Sequence, residues 1–336
     1  MTNFKQYFKS HLKDNIKTII YILVAVLLLT FLLGNIYQRS QIFNTELKKY
    51  EESFKSTLYL PVIFMCILAY IIPVMEFSFF KKRINLDCAY SMPISRKAMG
   101  AVHYLVGLLM IVLGYSASYL TNFVMLLSRG PGWFDFASMI WHYMFCLAIG
   151  VAVYSFLVFV FNEANTRGDG IWFMILYTFI FNFGLCTVAY ITDIKAKDAL
   201  GALPFYVLTS INKEFQSFVE LNQIDRTIFS GSETQITWFV FWIVIGIASA
   251  VAFFFTFGKR RMEKTEEISN SYFGFRTLIP IYALIGMIYL NASSHVVVWV
   301  IVELLTFIGY AIYRRGLHYK KSDIAILCLL ALFLFI

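Results

Sequence analysis

The chain has 336 residues, of which 60% are hydrophobic and 14% are charged, and its formal net charge is +8. Soluble domains carry about 25% charged residues, so this composition excludes a water-soluble globular protein. It predicts an all-α fold, a polytopic membrane helical bundle, because a helix satisfies its own backbone hydrogen bonds in lipid. The basic surplus is then expected in cytoplasmic loops beside anionic lipids, and no nucleic-acid partner is predicted.

Residues 1–17 are expected to form an amphipathic helix. Apolar side chains recur at every fourth position with lysines as the adjacent stripe, Phe4, Phe8, Leu12 and Ile16 against Lys5, Lys9, Lys13 and Lys17. This pattern predicts an interfacial N-terminal helix that lies on the inner membrane surface with its lysines toward the lipid headgroups. The alternative is an ordinary charged leader before the first span.

Six runs without charged residues are long enough to cross the hydrocarbon layer, which takes about 20 residues of helix. They cover residues 18–38, 56–75, 98–128, 136–162, 170–192 and 234–258. We therefore predict a six-span core over residues 1–258. Most of the 28 Lys and Arg residues fall in segments that become cytoplasmic when the N-terminus is inside, which is the orientation that the positive-inside rule favours.

The segment 81–97 joins the second and third predicted spans and is basic at both ends. The sequence KKR at 81–83 ends the second span, and residues 84–91 are long enough for two helical turns. Pro93 interrupts that helix, and Ser95 is placed to cap the next one. The pattern predicts a short cytosolic helix held between two spans; the alternative is a plain basic loop.

Four polar side chains fall within or beside the predicted spans, namely Glu76, Asn122, Asn182 and Glu303. Ionisable groups inside a membrane are costly and are candidates for function. Glu303 has a second interpretation as a protonated acid bonded to a neighbouring helix, and Glu76 is expected near the inner interface. The two asparagines are expected to bond neighbouring helices.

Small residues recur at the four-residue spacing that lets membrane helices approach closely. The pairs are Gly114 with Ser118, Ala148 with Ala152, and Gly246 with Ala250. They predict helix contacts within one subunit or across a dimer.

Two further segments carry patterns. Apolar residues at helical spacing in the outer loop, residues 193–233, predict a short outer helix that either caps the bundle or gates a pathway. The apolar stretch 277–313 contains a polar break at 291–295, which predicts a C-terminal helical hairpin. The short terminal apolar segment, 324–336, extends only about 20 Å as a helix, so the chain is expected to end inside the membrane or to be a piece of a longer one.

Motifs for chemistry are missing from the sequence. No GxxxxGK[ST], HExxH or GxSxG pattern occurs, so neither ATP binding by a phosphate loop nor a catalytic site is predicted. The five cysteines are scattered without a CxxC pair, which predicts neither disulfides nor structural zinc. The histidines are also widely separated along the chain, and no metal site is predicted from His11, His103, His142, His295 and His318.

The stretches EFSFFKKR at 76–83 and DCAYSMPISRK at 87–97 resemble the permease subunits of bacterial ABC transporters. Specifically, they are similar to a type-2 exporter-like family of Gram-positive bacteria, whose loop between the second and third spans carries an SLPISR-like stretch. The resemblance extends over residues 1–258. It implies a multi-pass protein of the bacterial plasma membrane that dimerises with a second permease, as a homo- or heterodimer, and pairs with separate ATP-binding subunits.

The same resemblance implies roles for the segment 81–97. It would be the coupling helix on which the ATP-binding subunit docks, through Ile84, Asn85, Leu86, Asp87, Cys88, Ala89, Tyr90, Ser91, Met92, Pro93 and Arg96. The basic residues at the membrane interface would be Lys81, Lys82, Arg83 and Lys97. ATP and Mg²⁺ would be bound by the partner, with no cofactor in this chain. Relatives of this kind export peptide antibiotics, bacteriocins or other amphiphiles.

Two alternatives from other classes stay open. One is a membrane-embedded enzyme acting on lipid or peptide, with Glu303 and a histidine as its acid–base pair. The other is a scaffold or sensor subunit without transport. Residues 259–336 follow the six-span core as a cytoplasmic linker, hairpin and terminal segment, and they belong either to the transport path or to an accessory module.

Overall fold

A computed structural model describes residues 2–42, 59–127, 136–191, 233–259, 265–267, 269, 271–291, 296–314 and 316–332. Every regular element in these ranges is a helix, which confirms the predicted all-α class. The predicted outer helix in the loop 193–233 lies almost wholly outside the described residues, as does most of the polar break at 291–295.

Ten α-helices and one 3-10 turn follow each other along the described chain. They are α1 (Thr2–Ile42), α2 (Tyr59–Phe77), the 3-10 turn (Ser78–Lys81), α3 (Arg83–Tyr90), α4 (Arg96–Leu127), α5 (Phe136–Glu163), α6 (Arg167–Ile191), α7 (Glu233–Phe257), α8 (Phe275–Asn291), α9 (Val296–Arg314) and α10 (Lys321–Leu332).

Five of these helices are long and apolar enough to cross a bilayer, which indicates a membrane protein. The apolar stretches lie in α1, α2, α4, α5 and α7, and they are Phe4–Asn35, Leu60–Lys81, Arg96–Met125, Met139–Glu163 and Thr237–Phe257. Each corresponds to a predicted span. The remaining predicted span, residues 170–192, overlaps helix α6 (Arg167–Ile191), which is not among these five, so a six-span core stays a prediction.

The N-terminal helix is longer than the predicted interfacial helix. Residues 2–17 form the first part of α1, which runs unbroken from Thr2 to Ile42, and their position on the membrane surface stays a prediction. No proline occurs in α1 and its only glycine is Gly34, so nothing in the sequence interrupts the helix. The lysine stripe is exposed as expected, whereas the neighbouring stripe is partly buried against the protein.

The chain divides into two compact units. The first contains Met1–Phe159 and Pro204–Arg260, and the second contains Val160–Leu203 and Arg261–Ile336. Helix α6 therefore belongs with the C-terminal helices, although the sequence analysis grouped it with the six-span core.

Small residues bring the helices of the first unit close together. Gly114 faces the Leu68 side chain of α2, and the Ser118 hydroxyl lies 2.9 Å from the Thr30 hydroxyl of α1. Gly246 of α7 lies directly against Ala152 of α5. Gly114, Ser118, Ala152 and Gly246, four of the six predicted small residues, thus form contacts between helices of one chain.

In the second unit, α8 and α9 flank the predicted polar break and pack against each other. The Val302 side chain lies in ordinary van der Waals contact with the position of Gly286. Arg314 at the end of α9 makes a two-pronged salt bridge to Asp323 at the start of α10, with N–O distances of 2.9 and 3.1 Å. Two adjacent helices are therefore present, whereas their crossing of a membrane stays a prediction.

The close approach of α5 and α7 makes a prediction about Gly246. A Cβ atom there would lie 2.5 Å from both the Cα and the Cβ of Ala152, so Gly246→Ala forces the helices apart. We expect a loss of about 1–3 kcal/mol in the free energy of unfolding, measured by thermal denaturation in detergent.

The matched control is Gly309→Ala in α9. A Cβ atom at Gly309 meets its nearest neighbour, on Ile279, at 3.7 Å, which is ordinary contact. Because alanine is the better helix former, this variant should be neutral or slightly more stable. Equal stability of the two variants would contradict the tight α5–α7 contact.

Candidate functional site

The segment between α2 and α4 forms the short helix that the sequence predicts. Helix α2 ends at Phe77, the 3-10 turn Ser78–Lys81 redirects the chain, and α3 follows as Arg83–Tyr90. The Ile94 amide donates to the Met92 carbonyl at 2.7 Å in the tight turn around Pro93. The Ser95 hydroxyl then accepts a hydrogen bond from the Ala98 amide at 3.3 Å, which confirms the predicted N-cap of α4.

Helix α3 has an inner and an outer face. Leu86 and Ala89 are buried against the protein, whereas Ile84 is 80% exposed. Asp87 and Ser91 lie three and seven residues after Ile84, so all three occupy one exposed stripe.

Burial divides the predicted docking set. Leu86 and Ala89 are buried within the chain, because the same helical turn that exposes Ile84 points them inward. Asn85 and Met92 are half-buried, while Pro93 and Arg96 are exposed with the outer stripe. The side chains of Cys88 and Tyr90 lie outside the described part of the structure.

The predicted basic residues also separate into two groups. Lys82, Arg83 and Lys97 are exposed, as expected of groups at a membrane surface. Lys81 is only 2% exposed, because the 3-10 turn directs it into the protein. The aliphatic stem of Lys97 packs beside Gly258, which follows the end of α7.

A cluster of ionisable side chains lies next to this segment, where α2 ends and before α3 begins. Glu76, in the last turn of α2, lies between His11 of α1 and His103 of α4. One carboxylate oxygen, Glu76 Oε2, is 2.9 Å from His11 Nε2 and 3.0 Å from His103 Nδ1. The two imidazole rings are 3.9 Å apart between centroids. Glu76 thus joins three helices at a single point.

The cluster continues into a second layer of polar groups on α1. The Tyr7 hydroxyl lies 3.2 Å from His103 Nε2, so both ring nitrogens of His103 have partners. The side-chain amide of Asn15 lies 3.1 Å from His11 Nε2 and donates to the His11 carbonyl. Tyr7, His11 and Asn15 are spaced four residues apart and form one polar line along a half-buried face of the helix.

Aromatic side chains close the other side of the cluster. The Phe80 ring meets the His103 ring edge-on at 4.7 Å, and Phe77 lies 6.1 Å from it. Phe257 of α7 packs on both phenylalanines and approaches the position of Gly100 so closely that no side chain fits there. The carboxylate is therefore shielded from water on this side.

The side chains of this cluster differ in exposure. Glu76 retains 3% of its side-chain exposure, while His11 retains 16% and forms the more accessible edge. A buried carboxylate needs either hydrogen-bond donors or a cation as partners. The two imidazoles allow either kind of partner. A protonated ring nitrogen donates a hydrogen bond to the carboxylate, and an unprotonated one can bind a metal ion beside it.

The other polar residues of the sequence analysis lie elsewhere. Asn122 is buried in α4, and Glu303 is half-buried in α9. In the residues that the structure describes, it records no hydrogen bond to the Glu303 carboxylate and no histidine beside it. The side chain of Asn182 lies outside the described part.

Sequence reasoning selected Glu76 but missed Tyr7, His11 and His103. The signal was present in two places. His11 and Tyr7 stand on the apolar side of an amphipathic helix, where a polar group needs a buried partner. His103 lies within an apolar run, where the cost of an ionisable side chain applies to histidine as it does to acids.

Comparison of the chain with protein-family models, with curated protein sequences and with solved structures gives no match.

The network predicts that Glu76 matters more to stability than Glu303. Glu76→Ala leaves the buried His103 imidazole and the partly exposed His11 imidazole without their shared acceptor, so we expect a loss of about 1–3 kcal/mol in the free energy of unfolding. Glu303→Ala removes a carboxylate for which no bond is recorded in the described residues, and it should change stability by less than about 0.5 kcal/mol. Thermal denaturation in detergent measures both, and an equal effect would show that the Glu76 bonds contribute nothing.

Proposed function

We propose that the chain is the membrane-spanning permease subunit of an ATP-driven ABC exporter and that α3 is the helix on which a separate ATP-binding subunit docks. The observation that carries the proposal is the arrangement of α3. Its inner face is buried, and its outer face presents Ile84 with Asp87 and Ser91. The resemblance of residues 76–83 and 87–97 to permease coupling loops supports the same role.

The packing of α3 suits the transfer of a mechanical push. Its first turn follows the 3-10 turn, where Phe80 and Lys81 are buried, and its last turn leads into the capped start of α4. Leu86 and Ala89 anchor its middle. A rigid segment with both ends fixed passes a displacement to α2 and α4, whereas a flexible loop would absorb it.

The sequence supports a transporter in which this chain forms the membrane path and a separate subunit binds ATP. Because the chain carries no phosphate-loop motif, ATP and Mg²⁺ would be bound by the partner. Closure of the ATP-binding subunits would move α3 together with α2 and α4, and a path between two permease subunits would open outward. We assign α6 as the sixth span, α8 and α9 as a membrane hairpin, and the N-terminus to the cytoplasmic side of a bacterial plasma membrane. The cargo is a peptide, an antibiotic or another amphiphile.

Site-specific photo-crosslinking tests the docking surface. A photoreactive amino acid in place of Ile84 should form a covalent adduct in intact cells with a protein that carries a phosphate-loop ATPase motif, identified by mass spectrometry. The matched control replaces Leu317, which is 71% exposed in a different loop, and should give no such adduct.

A second variant checks that the adduct reflects function. Ile84→Asp places a charge on the outer face and should abolish copurification of that ATP-binding protein, while Leu317→Asp should leave it unchanged. Adducts from both positions, or copurification that survives Ile84→Asp, would argue against α3 as the docking site and would favour an enzyme or a scaffold.

A further inference from the structure

We propose that His11, Glu76 and His103 form a binding site for a divalent transition-metal ion, which holds α1, α2 and α4 together close to the start of α3. This inference does not depend on the proposed transport function. It rests on the geometry, the chemistry and the burial of the three side chains.

The three ligand atoms already lie at distances close to those of a metal site. Each residue offers one donor atom, and all three atoms lie within 4.8 Å of one another. The two contacts to Glu76 Oε2 are 2.9 and 3.0 Å. In a tetrahedral Zn²⁺ site with bonds of 2.0–2.1 Å, neighbouring donor atoms are about 3.3 Å apart. The two contacts to Glu76 therefore need to lengthen by only a few tenths of an ångström, and the third separation, between the two histidine nitrogens, is no more than 4.8 Å.

The donor types select the class of ion. Two imidazoles and one carboxylate suit Zn²⁺ and similar first-row ions, whereas Mg²⁺ and Ca²⁺ prefer oxygen donors. The three residues come from three different helices, so an ion would fix their relative positions. A water molecule is the natural fourth ligand and can reach the site past His11, the most exposed member of the cluster.

The second layer of the cluster has the form expected around a metal ligand. A metal-bound histidine usually donates its other ring N–H to a nearby acceptor, which fixes its tautomer and orientation. The Tyr7 hydroxyl lies 3.2 Å from His103 Nε2 and provides that acceptor when His103 Nδ1 faces the ion. On the other histidine, the Asn15 side-chain amide lies 3.1 Å from His11 Nε2, the nitrogen that faces Glu76, so this amide would move aside when His11 binds the ion.

The charge of the site also favours a cation. The Glu76 side chain is only 3% exposed and its partner His103 is packed by Phe77 and Phe80, and in such surroundings an ionised carboxylate is costly without a positive partner. Two neutral imidazoles supply hydrogen bonds without charge. A divalent ion supplies the missing charge, and the ion draws the imidazoles into coordination.

Zinc binding to the full-length protein in detergent tests the proposal. The protein is purified without a polyhistidine tag, stripped with EDTA, and dialysed against Zn²⁺, and the bound metal is measured by mass spectrometry. Wild type should retain one tightly bound Zn²⁺ per chain. His11→Gln and Glu76→Gln should lose it, and Co²⁺ loaded in its place should show visible absorption that both variants lack.

Two further variants complete the test. Tyr7→Phe removes only the outer acceptor of His103 and should weaken Zn²⁺ binding by about 10–100-fold, with the fold intact by size-exclusion chromatography. His318→Gln removes an exposed histidine outside the cluster and should bind Zn²⁺ as wild type does. The proposal is overturned if wild type retains no Zn²⁺, or if folded His11→Gln retains as much as wild type. In the second case the metal is adventitious and the cluster is a hydrogen-bond network alone.

Discussion

The burial of one carboxylate constrains the end of the bundle where α3 lies. Glu76 lies among apolar helices with its side chain almost fully enclosed, and such a group is stable only with hydrogen-bond donors or a cation as partners. His11 and His103 are those partners, and both contact the same oxygen. His11 lies on α1 and His103 lies on α4. The hydrogen bonds that Glu76 of α2 needs therefore fix the relative positions of these three helices.

The position of the cluster links this constraint to the proposed function. Only the 3-10 turn Ser78–Lys81 separates α2 from α3, and α4 begins six residues after α3 ends. Both ends of α3 are therefore attached to helices that the cluster holds together. A force applied to the outer face at Ile84 would be shared by α1, α2 and α4 rather than absorbed by the loop. A metal ion bound at the cluster would hold α1, α2 and α4 together more rigidly.

Local patterns in the sequence were sufficient for α3 and its surroundings. Pro93 and Ser95 predict the break and the cap because turn and capping chemistry act over a few residues. The apolar runs predict the long helices because lipid imposes their length. The buried position of Leu86 was open to the same reasoning, since exposure of Ile84 on a helix turns Leu86 toward the protein.

Local sequence patterns could not predict the cluster of His11, Glu76 and His103. His11 meets Glu76 across 65 residues and His103 meets it across 27, so only the packing of the helices brings them together. The same packing also covers part of the amphipathic N-terminal stretch. The amphipathic stripe of α1 predicted contact with lipid, but part of that stripe faces α4, where Tyr7 contacts His103. An amphipathic pattern indicates a buried face without stating what covers it.

Hydrogen–deuterium exchange measures most directly whether Glu76 holds this region together. The account predicts that amides in residues 83–90 exchange faster in Glu76→Ala than in wild type, because α3 loses its fixed base. Amides in the apolar stretch Thr237–Phe257 of α7 should keep their protection in both proteins and serve as the internal reference. Unchanged exchange in residues 83–90 would contradict the account, because α3 would then be held independently of the Glu76 cluster.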